Sequence, residues 1–464
     1  MKNSMKRFFI FMATALMVSG LAAQEKSLKQ LQQEFVDLKF GMFIHFNIPT
    51  FMHQDWADPD ASPEIFNPAK LDCSQWAKAA LSANMSYGCL TTKHHSGFCI
   101  WDTQTTDYNV MNSPLQRDVV SEYADAFRRE GLKVMLYYSI LDTHHDIRPG
   151  HIKPRAHTDM IKAQLTELLT GYGEITALVI DGWDAPWSRI SYDQIPFEEI
   201  YHHVKKLQPG CLVMDLNAAK YPAQALFYTD IKSYEQAAGQ HIEKDSNILP
   251  ALSCLPINKN WFWKEFFPKE PVKDPGALVS DNLIPFNEVY CNFILNVAPN
   301  RDGLIDKNAL EALKKIGKMW KNDGVSRQLG DYDAPLISEN ILKFKPAKAS
   351  WAYDIWISDF ANDDNFKTSW RSEESVAEPW IEFDLQGMEP FNALMFYDTH
   401  GRIDRYRLLY QKDGRWITLF DGSREGKAKI HRFDAVWGDK VRIEIKEFSG
   451  QPWIAEVGVY NERR

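Results

Sequence analysis

The sequence predicts an α/β chain, a (β/α)8-like barrel followed by an all-β sandwich. Three observations predict it. Eight short apolar runs recur between about residues 38 and 325, amphipathic stretches with helical spacing alternate with them, and beyond Gly324 short alternating runs broken by Gly and Asp take over. Eight strands is the number such a barrel needs.

The elements follow in order. Residues 2–7 are basic, 8–21 mostly apolar, and Gly20-Leu21-Ala22-Ala23 supplies small residues before polar Gln24, so 1–23 reads as a secretory signal peptide. The expectation is an exported protein, periplasmic or extracellular, without a membrane span. A catalytic domain is expected over 24–330, with strands at 40–46, 87–92, 133–138, 177–180, 212–216, 227–232, 249–255 and 293–298. Helical spacing marks 73–83, 119–130, 158–169, 197–207 and 308–322. Near-continuous apolar strands between helices imply a buried parallel sheet. The turn-rich Asp331-Tyr332-Asp333-Ala334-Pro335 opens a second domain, 331–464, with half-buried strands at 380–385, 405–410, 415–420 and 440–445.

The net charge of -9, with no Lys/Arg block outside the N-terminus, argues against nucleic acid or an anionic membrane as partner and suits a neutral substrate. Aromatic residues make up 13% of the chain, and their faces stack on sugar rings as well as filling cores; composition alone favours the core. The six cysteines are widely spaced without a C-x-x-C, so buried thiols are expected rather than disulfides, and no Cys-rich metal site is written.

Two segments end apolar runs with chemistry: Lys93-His94-His95-Ser96-Gly97-Phe98 and Leu178-Val179-Ile180-Asp181-Gly182-Trp183. In a parallel barrel the C-terminal strand ends form the active-site rim. Asp181 would stand there, although a strand-end Asp can equally cap the next helix. Glu235 lies just past the sixth predicted strand, and two rim carboxylates suggest glycoside hydrolysis, one as nucleophile and one as proton donor. His45, His94 and His95 share that end. Adjacent histidines reach one pocket only where the strand ends and turns. Neutral imidazoles would bind sugar hydroxyls, with Trp56, Trp101, Tyr138, Trp183 and Trp187 near the same strand ends; rim His and Asp could instead hold zinc.

Phe40-Gly41-Met42-Phe43-Ile44-His45-Phe46, the Lys93 to Trp101 stretch, Lys133-Val134-Met135-Leu136-Tyr137-Tyr138-Ser139 and Ile294-Leu295-Asn296-Val297-Ala298-Pro299 together resemble the α-L-fucosidases of glycoside hydrolase family 29. The resemblance implies a retaining α-L-fucosidase acting on a fucosylated oligosaccharide or glycoconjugate, with no metal and no organic cofactor. On matching positions it implies Asp181 as nucleophile and His45, His94, His95 and Tyr138 as the fucose pocket, with Trp56 against the sugar. Glu235 is assigned as acid/base from its place after Tyr234. Two departures stand out: Val179 where the family often has an aromatic residue, and Met214-Asp215-Leu216-Asn217 without the family's Arg. An α-L-galactosidase, a metal-dependent hydrolase and a non-catalytic glycan-binding protein are the other readings. The tail resembles a discoidin-like, galactose-binding type sandwich through Thr368-Ser369-Trp370 and Pro452-Trp453-Ile454-Ala455-Glu456, either binding sugar or packing on the barrel.

Overall fold

The computed structural model describes residues 26–324, 326–423 and 426–463; the expected signal peptide lies outside them. Eight parallel strands are present: β1 (Phe40–Ile44), β2 (Tyr87–Lys93), β3 (Lys133–Ser139), β4 (Ala177–Asp181), β5 (Leu212–Asp215), β6 (Lys232–Glu235), β7 (Ala251–Pro256) and β8 (Cys291–Asn296). Their hydrogen-bonded order is β5-β4-β3-β2-β1-β8-β7-β6, a barrel open at one seam. Asp230 stitches that seam. Its carboxylate accepts from Val213 N at 2.9 Å and its own N donates to Val213 O at 2.8 Å.

The alternation of a strand decides which residues enter the barrel. Phe43, Tyr87, Cys89, Met135, Tyr137, Ala177, Val179, Leu212, Met214, Leu252, Cys254 and Ile294 form the interior cluster, closed below by Phe35. Phe35 belongs to α1 (Leu28–Leu38), which Ser27 and Gln30 start with a reciprocal capping box. The alternate positions, among them Leu136, Tyr138, Leu178 and Ile180, face the surrounding helices. These are α2 (Cys73–Ser82), α3 (Val119–Arg129), α4 (Pro154–Gly171) and α5 (Phe197–Leu207), each following the strand before it. Asp72 and Asp118 cap α2 and α3 by accepting from Gln75 N and Ser121 N.

Two expectations are corrected. The sixth strand is not 227–232 but Lys232–Glu235, because Phe227 and Tyr228 spend their apolar surface elsewhere: Phe227 stacks on Tyr221 and Tyr228 lies 3.9 Å from Tyr192, ring to ring. The helix expected at 158–169 starts earlier, at Pro154, a residue suited to a first helical turn. After β5 and β6 only short 3-10 turns follow, Ala218–Lys220 and Gln236–Ala238. After β7 come α6 (Pro275–Ala277), a π turn (Leu278–Leu283) and α7 (Ile284–Asn287), and α8 (Lys307–Met319) closes the barrel after β8.

The second domain is antiparallel: β9 (Ala347–Ala349), β10 (Trp370–Arg371), β11 (Trp380–Asp398), β12 (Ile403–Lys412), β13 (Arg415–Gly422), β14 (Ala428–Phe448) and β15 (Trp453–Tyr460). The order is β10-β15-β11-β14-β12-β13, with β9 on β11. β11 and β14 are long strands whose pairing shifts register at 384/389 and 391/393, where bulges bend them around the core of Trp370, Phe383, Phe391 and Phe396. All six cysteines are buried and free.

Candidate active site

The C-terminal strand ends surround a recess of about 560 Å³, open mouth included, lined by Phe43, His45, Asp55, Trp56, His94, His95, Tyr137, Asp181, Trp187, Leu216, Glu235 and Trp261. The structure brings together Asp181, Glu235, His45, Trp56, His94 and His95.

Tyr138 is the exception. It follows Tyr137 on β3 and so points outward, where its hydroxyl lies 2.9 Å from Lys93 Nζ and donates to Gln164 Oε1 at 2.6 Å. Tyr137 takes the inward position, donating to Asp181 Oδ2 at 2.6 Å. Trp101 and Trp183 are also buried away from the recess, donating to Glu167 and to Ile195 O.

Asp181 ends β4, and its second oxygen accepts from Asn217 Nδ2 at 2.9 Å. Gly182 then turns with φ 102°, and a Cβ there would meet Leu141 N at 2.9 Å, so only glycine lets the chain leave the strand in this direction. Behind Asn217, Asp215 is fully buried, accepting from Asn217 N and from the Tyr192 hydroxyl. Burial pushes Asp215 up to about 7, with the Asp181 charge adding to it.

Both adjacent histidines reach the recess because β2 shifts register between Thr91 and Lys93, turning as it ends; their ring centroids are 3.9 Å apart. Ser139 Oγ donates to Leu141 O, so it accepts from His95 Nδ1 at 2.7 Å, which leaves His95 Nε2 an acceptor, 3.7 Å from Asp181 Oδ2. Asn296 donates through Nδ2 to Trp261 O, so its Oδ1 accepts from His45 Nδ1 at 2.8 Å, and His45 Nε2 is likewise an acceptor. Burial pushes His45 down to about 3 and His95 down to about 4, and lowers His94 as well. Three neutral imidazoles thus face the recess. His94 Nδ1 is buried with no hydrogen-bond partner among the described residues.

Glu235 ends β6. Burial, reinforced by the Asp181 charge, pushes its carboxyl up to about 7, against a hydrogen bond that Trp261 Nε1 donates to Oε1 at 3.2 Å. Asp55 supplies a third carboxylate, paired with Lys264 Nζ at 2.7 Å. Trp56 and Trp187 are 44% and 40% exposed at the mouth and pack edge to face, 5.1 Å apart, over His95. Among the described residues no three His, Cys, Asp or Glu side chains are grouped to hold a metal ion.

Sequence reasoning did not single out Tyr137, Asn217, Asp55 or Trp261. Ser139 pairs with Asp181 and so puts Tyr137 on the same face as the carboxylate, a parity that the continuous apolar run of β3 does not show in the sequence. Trp261 sits in the irregular chain after β7, where no periodicity assigns a direction.

The alpha-L-fucosidase family model matches residues 15–325, and the F5/8 type C domain model matches 346–457. Alpha-L-fucosidase 1 of Arabidopsis thaliana is 26% identical, the match covering 99% of this chain and 95% of that one. Tissue alpha-L-fucosidase of Homo sapiens is 22% identical over 62% of this chain and 67% of its own. Among solved structures, alpha-L-fucosidase isoenzyme 1 from Paenibacillus thiaminolyticus superposes with a TM-score of 0.55 at 24% identity, covering 91% of this chain and all of that one.

Proposed function

Since this chain belongs to the alpha-L-fucosidase family of glycoside hydrolases, family 29, and carries a discoidin-like F5/8 type C domain behind its barrel, we propose that it cleaves terminal α-L-fucosides with retention, through a covalent fucosyl intermediate on Asp181. One observation carries the reading. Two carboxylates share the recess in opposite environments: Asp181 held by two donors, Glu235 raised to about 7. A retaining glycosidase needs that division, a charged nucleophile beside an acid that keeps its proton near neutrality.

In this mechanism Asp181 attacks the anomeric carbon while Glu235 gives its proton to the departing glycosidic oxygen. Glu235 then takes a proton from water, which attacks the same carbon and releases Asp181. The acceptor nitrogens of His45 and His95, with the unpaired His94 Nδ1, suit sugar hydroxyls. The rim pair Trp56 and Trp187 offers aromatic faces to the ring. The basic and then apolar N-terminal run supports export to the periplasm or the exterior.

The test is incubation with 2-deoxy-2-fluoro-α-L-fucosyl fluoride followed by peptide mass spectrometry, alongside hydrolysis of aryl α-L-fucoside and α-L-galactoside. The expected result is a mass adduct on the peptide holding Asp181, preferred turnover of the fucoside with or without chelator, and loss of both in Asp181→Ala. Full aryl-fucoside turnover by Asp181→Ala would overturn the nucleophile, and preference for the galactoside would overturn the sugar.

A further inference from the structure

We propose that Trp261 is the positioning residue of the acid/base: its indole N–H occupies Glu235 Oε1 and leaves Oε2 as the oxygen that carries the proton to the leaving group. The inference rests on the reading of Glu235 as acid/base. An indole N–H only donates, so the oxygen it meets at 3.2 Å must accept, and an acid proton on that oxygen would collide with the donor. Among the described residues no other side-chain donor reaches the Glu235 carboxyl; its backbone N donates to Gln240 Oε1 at 2.8 Å.

Trp261 is itself fixed from three sides. Its carbonyl accepts from Asn296 Nδ2 at 2.7 Å, its N donates to Asp55 Oδ2 at 3.3 Å, and its ring lies 4.9 Å from that of His45 and 6.1 Å from that of Phe43. Asn296 also orients His45. One anchor therefore sets both a sugar-binding imidazole and the direction of the proton donor. The loop that carries it, after β7, lies beside β6 because those strands pair, with Glu235 opposite Cys254.

The titratable groups facing Glu235 are few. Asp181 on β4 raises it, Tyr137 on β3 and Cys254 on β7 are held neutral by burial, and beyond Trp261 stands the Asp55–Lys264 ion pair. The indole N–H favours the charged form of Glu235, so removing it strengthens the proton's hold.

The experiment is the pH profile of kcat/KM for the full chain with a fucosyl disaccharide and with fucosyl fluoride, in wild type, Trp261→Phe and Glu235→Gln. A second variant with benzothienylalanine at 261 keeps the indole's shape and lacks the N–H, in case phenylalanine disturbs folding. Loss of the N–H is expected to move the alkaline limb up by about one pH unit. Disaccharide kcat/KM should fall roughly 10- to 100-fold, and the fluoride, whose departure needs little acid help, less. Trp261→His, which retains a ring N–H, should bring the limb back toward wild type. An alkaline limb unmoved in both N–H-free variants, while Glu235→Gln abolishes that limb, overturns the role of Trp261 alone. A limb that survives in Glu235→Gln overturns the acid/base reading beneath it.

Discussion

At the scale of the residue, adjacent tyrosines on β3 have opposite duties. Tyr137 donates to the nucleophile, and Tyr138 completes a buried cluster in which Lys93 Nζ also meets Asp142 and Gln164, each at 3.0 Å. A lost hydrogen bond to a charged group is worth about 1.5–3 kcal/mol, so Tyr137→Phe is expected to cut kcat/KM about 10- to 100-fold with little change in melting temperature. Tyr138→Phe should do the reverse, costing about 1–3 kcal/mol of stability with kcat/KM near wild type. Steady-state kinetics and thermal melts on the pair check this. The same burial that tunes the site sets its pH range. Glu235 must hold its proton to act, so kcat/KM should fall as pH rises through about 7. His45 and His95, lowered to about 3 and about 4, pull the other way on stability. Below about 6.5 the unfolded chain binds protons that these folded histidines refuse, so each histidine removes stability as pH falls toward 4, by up to about 1.4 kcal/mol per unit. Glu235 and Asp215, raised to about 7, take up protons on folding over the same range and offset that loss. The check is therefore the gap in melting temperature between wild type and His45→Gln: a gap that stays constant from about pH 6.5 to about 4 would contradict the histidine contribution.

At the scale of the element, the end of β2 depends on one glycine. Gly97 has φ 88°, and a Cβ there would sit 2.1 Å from Asp142 Oδ1, inside the Lys93–Asp142 pair that ties β2 to the loop after β3. Gly97→Ala is therefore expected to lose stability and activity together, by well over about 1 kcal/mol, measured as parallel drops in melting temperature and turnover. Elements of this kind also show what the sequence makes legible. Apolar runs located seven of the eight barrel strands within a few residues, because interior and exterior faces of a parallel barrel are both buried. The sixth escaped, since Lys232-Ser233-Tyr234-Glu235 is polar while the apolar run before it serves other contacts. Asp181, Glu235 and the histidines were legible as polar residues at strand ends. Tyr137 was hidden by a continuous run whose parity no single strand reveals, and Trp261 by a loop whose direction is set only in three dimensions.

At the scale of the whole molecule, the second domain stands where helices are missing from the first. After β5 the barrel has only a 3-10 turn, and the segment that follows is covered instead by the sheet domain. Phe366 packs on Tyr221 and Phe227, Tyr397 packs on Phe366 and donates to Gln224 Oε1 at 3.1 Å, and the Phe227 backbone pairs with Leu336. Ala393, Met395, Ile430 and Tyr460 of the sheet domain join the same apolar cluster as the outer faces of the barrel strands. Fully burying one such large side chain is worth about 1.5–3 kcal/mol, so the buried Met395, Ile430 and Tyr460 together contribute roughly 4.5–9 kcal/mol before the entropy of ordering them, and half-buried Phe366 adds less. The sheet domain therefore braces the chain from Asn217, which holds the nucleophile, to Glu235. Two outcomes are expected. The full chain should unfold in urea as one transition, whether followed by tryptophan fluorescence or by loss of fucoside turnover. Phe366→Ala, at a residue that does not line the recess, should lower the midpoint of that transition and reduce kcat by loosening the 217–231 segment, with KM changing less than kcat. Two separated transitions, with activity lost only in the second, would mean that the barrel stands without its neighbour and that the shared cluster is not what holds Asn217 in place.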